Sequence, residues 1–135
     1  MRRGPFRSDA RGASAVEFAL AAPVLIAFII GIGQLGMLFY ANADVRNAVA
    51  AGARHASIYP RPDDAAVIAR INQRVAGLDR TRIAGPTVAR GTDSSGNDFA
   101  DITMSYAVPL DFIFFRTPPV TLTERRRVFT QPEGP

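Results

Sequence analysis

The sequence predicts an α+β protein. A long N-terminal transmembrane helix continues into a small distal domain made of a second helix and a short antiparallel sheet. Three observations carry this. No residue from Phe18 to Ala43 is charged. Apolar residues keep helical spacing from Ala41 to Ser57. Beyond Asp101, apolar and polar residues alternate as in half-buried strands. The organisation expected is a leader over 1–12, a membrane and membrane-proximal helix over 13–57, and a distal α+β domain over 58–135.

The span comes first. Phe18–Tyr40 is almost entirely Ala, Leu, Ile, Val, Phe and Gly, interrupted by Gln34. A stretch from 18 to 40 rises roughly 35 Å as a helix and crosses a hydrocarbon layer of about 30 Å. A buried core helix of that length would show a polar face, and this one does not. Arg2, Arg3, Arg7 and Arg11 precede the span, whereas Asp44 and Arg46 cancel after it. Basic flanks stay cytoplasmic, so the N-terminus is expected inside and the chain from about 44 onward outside. Ala41-Asn42-Ala43 satisfies the A-x-A cleavage pattern of a secretory signal. The apolar run before it is too long for a signal core, and no polar segment precedes the site.

Charge excludes one class of partner. The chain of 135 residues carries a net +4, of which Arg2, Arg3, Arg7 and Arg11 against Asp9 supply +3, leaving +1 for the rest. Nucleic-acid binding needs a clustered basic face over a domain, and none is expected. With 0 cysteines, disulfides, thiolate metal sites and a cysteine nucleophile are all excluded.

Glu17 stands at the mouth of the apolar run, where a carboxylate is costly unless paired. It can reach the headgroup boundary by snorkelling. Alternatively, a cut after Gly12 would make Ala13 a new amino terminus and Glu17 the fifth residue. The terminal amine of a neighbouring subunit could then neutralise the carboxylate and set an assembly register.

Gly12, four residues, then Glu17-Phe18, behind an Arg-rich leader and ahead of an apolar helix, resembles the processing site of type IV prepilins, particularly the Flp/Tad branch. The longer run R-G-A-S-A-V-E-F-A-L-A-A-P-V-L, followed by G-Q-L-G-M-L-F-Y-A-N-A-D-V-R-N-A-V-A-A-G-A-R, is similar to the TadE-like family of pseudopilins over about Arg11 to Ser57. The resemblance implies a pilin-like fold and cleavage between Gly12 and Ala13 by a membrane prepilin peptidase. It also implies a minor, inner-membrane subunit of a tight-adherence pilus or related secretion apparatus, with pilus or pseudopilin subunits as partners and the distal domain in the periplasm. Ala13 would be the mature first residue, where many other pilins carry phenylalanine. Roughly 90 residues beyond the span are far more than a major Flp pilin has, so the bulk filament subunit is not implied. Without processing, the same architecture would be a membrane-tethered domain recruiting an extracytoplasmic partner.

Small residues recur along the helix at Ala15, Ala19, Pro23, Ala27 and Gly31, a face along which another helix can approach closely. Pro23 removes a backbone donor and is expected to kink the helix there. Tyr40 is placed to anchor it at the headgroups. The membrane-proximal stripe Val45, Ala48, Val49, Gly52 and Ala56 is expected to cover the distal sheet, and the helix is expected over about Ser14 to Ser57, until Tyr59-Pro60-Arg61-Pro62 stops it.

In the distal domain, Asp63 or Asp64 can cap a helix whose core face is Val67, Ile68, Ile71, Val75 and Leu78. Gly85-Pro86 reads as a break, 86–90 as a short strand and 91–98 as a polar loop. Asp101–Val108 reads as a strand with Ile102, Met104, Tyr106 and Val108 inward. Val120–Phe129 reads as another, broken by Glu124-Arg125-Arg126-Arg127, whose arginines suit a solvated sheet edge. Phe112-Ile113-Phe114-Phe115 is either a partner-binding patch or a core plug. Asp93–Asp98 lacks calcium-loop spacing. His55 has no companion ligands, and no nucleophile–base set or phosphate loop appears, so neither metal, cofactor nor enzymatic activity is expected.

Overall fold

The computed structural model describes residues 10–75, 77–112 and 115–131. Helix α1 runs from Ala10 to Ala56 over 47 residues, roughly 70 Å, and passes through Pro23 without interruption. Its start lies one turn earlier than the sequence predicts. It ends where predicted: the N–H of Ile58 donates to the carbonyl of His55 and the Ser57 hydroxyl to that of Arg54, just ahead of Tyr59-Pro60.

Helix α2 spans Asp64–Arg74. Asp63 is its cap, accepting from the N–H of Ala66 at 2.6 Å and so satisfying one donor that the first turn leaves open. Val67 and Ile71 are buried on the predicted face. Val75 and Leu78 are buried too, but they lie beyond the helix. A 3-10 turn at Arg80–Arg82, unforeseen in the sequence, is capped by the Asp79 carboxylate, which accepts from the N–H and hydroxyl of Thr81.

Strands β1 (Ile83–Thr92), β2 (Asp98–Val108) and β3 (Val120–Phe129) form an antiparallel meander in the order β1-β2-β3. Two strand expectations need correction. Gly85-Pro86 is not a break but a register shift within β1, between Ala84 and Thr87. Gly85 takes φ +94 there, and a Cβ would lie 3.2 Å from the Thr103 carbonyl oxygen. Pro86 is tolerated because β1 is an edge strand, where a missing N–H breaks no ladder. Nor do the arginines interrupt β3: the ladder runs from Val120 opposite Val108 to Phe129 opposite Phe99. The β1–β2 connection is a tight turn. Asp93 accepts from the N–H groups of Ser95 and Asn97, and Gly96 adopts φ +83. The oxygen-rich segment thus spends its first carboxylate on its own backbone, which holds that carboxyl below its usual range, chiefly through Asn97.

The pleat sends Ala100, Ile102, Met104, Tyr106 and Val108 of β2 to one face, all buried. They pack against the distal part of α1, where Val45, Ala48, Val49, Ala53 and Ala56 are buried, and against Val67 and Ile71 of α2. Gly52 lets the helices approach, since a Cβ there would overlap the Ile71 side chain. The lower half of α1 belongs to a different environment: Val16, Phe18, Leu20, Val24, Leu25, Phe28 and Ile29 are all exposed.

Candidate functional site: the apolar helix and its two ends

Among the described residues, one helix is long and apolar enough to cross a membrane, and its apolar window contributes nothing to the folded core. Sequence places the candidate processing residues at its lower end. Gly12, Ala13 and Glu17 all lie within α1 and are exposed. Nothing stands within 4 Å of where a Cβ on Gly12 would sit. The Gly12–Ala13 bond falls in the first turn, where backbone N–H groups lack intrahelical partners and the helix opens at least cost. Glycine lowers that cost further, by about 1 kcal/mol relative to alanine. Glu17 has no ion-pair partner among the described residues.

The small-residue positions divide. Ala15 and Ala19 stand on open helix surface. Ala27 and Gly31, with Pro23, line an apolar groove of about 680 Å³ that also includes Val24, Phe28, Ile32 and Leu35. Its upper wall is not helix but Phe112 and Phe115, from the segment joining β2 to β3. Their rings stack with centroids 4.7 Å apart. The N–H of Phe112 donates to the carbonyl of Phe115 at 3.1 Å, and Asp111 pairs with Arg116 in an antiparallel bridge. Ile113 and Phe114 lie outside the described residues. Gln34, the polar interruption of the apolar run, donates from Nε2 to the Asp111 carbonyl at 2.7 Å. The aromatic segment is therefore not a plug in the distal core. It folds back along the apolar part of α1.

A second cluster that sequence reasoning missed lies on the outer face of the sheet. Asp101 is only 6% exposed although it points away from the core. Arg127 grips it with Nε on Oδ1 at 2.9 Å and Nη2 on Oδ2 at 2.6 Å, and Arg125 adds Nη2 on Oδ2 at 2.6 Å. Arg127 also lies over the Phe99 ring at 3.9 Å. These hydrogen bonds, Arg127 first and Arg125 second, hold the Asp101 carboxyl far below the usual carboxylate range. They raise the Arg127 guanidinium in turn. The signal was present: an acid in an alternating strand, and two arginines spaced to share one face of another. Only the register, Asp101 opposite Arg127 and Thr103 opposite Arg125, joins them. Arg125 and Arg127 thus sit at an edge, as expected, but act as a carboxylate clamp. On the inner face, Arg46 of α1 reaches Glu124 of β3 at 3.7 Å. Arg90 of β1 meets Asp64 and the Pro62 carbonyl, tying the sheet to the start of α2.

Comparison with known proteins agrees with the reading of the helix. Residues 12–54, from the candidate processing glycine to the last turns of α1, match the family model described as TadE-like protein, so this segment is similar to that family. No curated protein and no solved structure matches the chain.

Proposed function

We propose that this chain is a minor pilin or pseudopilin of a tight-adherence pilus assembly or related secretion apparatus, anchored by α1 in the bacterial inner membrane. The observation that carries this is the TadE-like match over 12–54, which coincides with the one helix among the described residues that is apolar enough to span a membrane. The basic leader remains cytoplasmic and the three-stranded domain lies outside. A prepilin peptidase cuts between Gly12 and Ala13, releasing a helix whose fifth residue is Glu17. The freed amine of an adjacent subunit pairs with that carboxylate, offsetting its desolvation and fixing the stagger between subunits. Ala15, Ala19, Ala27 and Gly31 supply the face along which neighbouring helices approach.

The test is the intact mass of the membrane-extracted protein, with and without the cognate peptidase. Ala13 is the expected terminus when the peptidase is present. Met1 or Asp44 as the dominant terminus would overturn the processing step, and retention of Met1 would leave a tethered interaction domain.

A further inference from the structure

We propose that the Phe112/Phe115 tip is a second membrane contact, entering the outer leaflet beside α1 so that lipid acyl chains fill the groove beneath it. This rests on the reading of α1 as a membrane span.

Three observations set the depth. First, Asp111 and Arg116 pair at 3.7 Å and are 67% and 89% exposed, forming a charged collar around the tip. Charges of that kind are expensive in hydrocarbon, so the collar marks headgroup level. Second, Gln34 donates to the Asp111 carbonyl, which puts Gln34 at that same level. Third, Tyr40 is engaged by the domain: a Cβ at Gly77 would lie 2.6 Å from its hydroxyl and 3.0 Å from the Asp44 carboxylate.

The hydrocarbon boundary therefore lies near Gln34, roughly 9 Å down the helix from Tyr40. Residues 13–34 still rise roughly 33 Å, enough for a layer of about 30 Å. Tyr40 is left near the outer limit of the headgroup zone. Next to the collar in sequence, Phe112 and Phe115 line the groove together with Gly31, Ile32 and Leu35, and Phe115 is 59% exposed. Every residue lining the groove is apolar, and its floor belongs to the span. At that depth the surrounding medium is lipid. The tip thus fixes the tilt and height of the domain over the bilayer, which a single helix leaves free to vary.

The absence of cysteine makes the test direct. Single nitroxide labels are placed on the full chain at Phe28→Cys, Leu35→Cys, Phe115→Cys, Arg116→Cys and Thr121→Cys, in phosphatidylcholine–phosphatidylglycerol vesicles. Accessibility to oxygen is compared with accessibility to a water-soluble nickel chelate. Position 115 is expected to match Leu35 and to exceed Thr121 at least tenfold in the oxygen-to-nickel ratio. Arg116, which tolerates replacement because it is almost fully exposed, is expected between them. If Phe28 is oxygen-rich but 115 and 116 read like Thr121, the loop stands in water and the proposal fails while the span survives. A nickel-accessible Phe28 would refute the span itself. Shielding of 115 from both reagents would mean that protein, a second copy included, covers the tip, and this too would overturn the proposal.

Discussion

Removing the distal part of α1 should unfold the sheet, because that helix is one wall of the only core cluster among the described residues. The perturbation is a pair of soluble fragments, 41–135 and 61–135. The shorter lacks Val45 and Val49, which are 1% and 0% exposed, together with Ala41, Ala48, Ala53 and Ala56. Burying each valine is worth about 1.5–3 kcal/mol. The loss does not stop there. Ile71, Ile102, Met104 and Val67, each at most 1% exposed, would be uncovered on the side that α1 now closes. If each loses even a third of its burial, roughly 3 kcal/mol more disappears. The total, about 6–9 kcal/mol, is comparable with the whole stability of a small domain, about 5–15 kcal/mol.

Circular dichroism and calorimetry on the two fragments decide the matter. Fragment 41–135 is expected to melt cooperatively, and 61–135 to give molten or aggregated material. Within the longer fragment, Val49→Ala is expected to cost about 1–3 kcal/mol, because the cavity lies between two elements that cannot both close on it. For a domain of this size that lowers Tm by roughly 5–20 °C. Cooperative melting of both fragments at similar temperatures would refute the reasoning, and α1 would then be only a stalk.

Other outcomes follow from single side chains. Glu17→Ala is expected to leave the protein in the membrane fraction while impairing pilus assembly; either loss from that fraction or unchanged assembly would contradict the pairing argument. Gly52→Ala is expected to lower Tm despite better helix propensity, since the new methyl overlaps Ile71, and Ile71→Val should restore part of the loss in a double-mutant cycle. Asp101 has a folded pKa below its unfolded value of about 3.9, so its contribution is present above that value and is lost as pH falls through the folded value. Urea melts between pH 2 and 6 should therefore show wild-type stability falling on the acid side more steeply than that of Asp101→Asn. Parallel curves would mean the clamp contributes nothing to folding.

How much of this was legible in the sequence depends on the range of each signal. The apolar run of α1, the Val45–Ala56 stripe, the Asp63 cap and the inward set Ile102, Met104, Tyr106 and Val108 are periodicities or adjacent-residue chemistry, and the structure has all of them. Gly85-Pro86 was misread because the same dipeptide is a terminator in a central strand and a tolerable bulge at an edge; topology decides which, and topology is not local. Asp101 and its arginines needed a register that no short window contains.

Gln34 shows where local and long-range signals meet. In sequence it is a flaw in an apolar run, and a polar group at such a place must find a partner or lose free energy. That requirement asks for a polar partner near position 34 without saying where it lies. The partner is a backbone carbonyl, at Asp111, and every residue, proline included, offers an equivalent one, so composition cannot select it. Selection comes from geometry: β2 and β3 descend together along α1, and their connection must turn beside the helix at a height set by strand length. Ten or eleven residues per strand fix that height. The aromatic tip therefore reaches the level of Gln34 because of how far the sheet extends, and its phenylalanines suit the apolar surface that the sheet delivers them to.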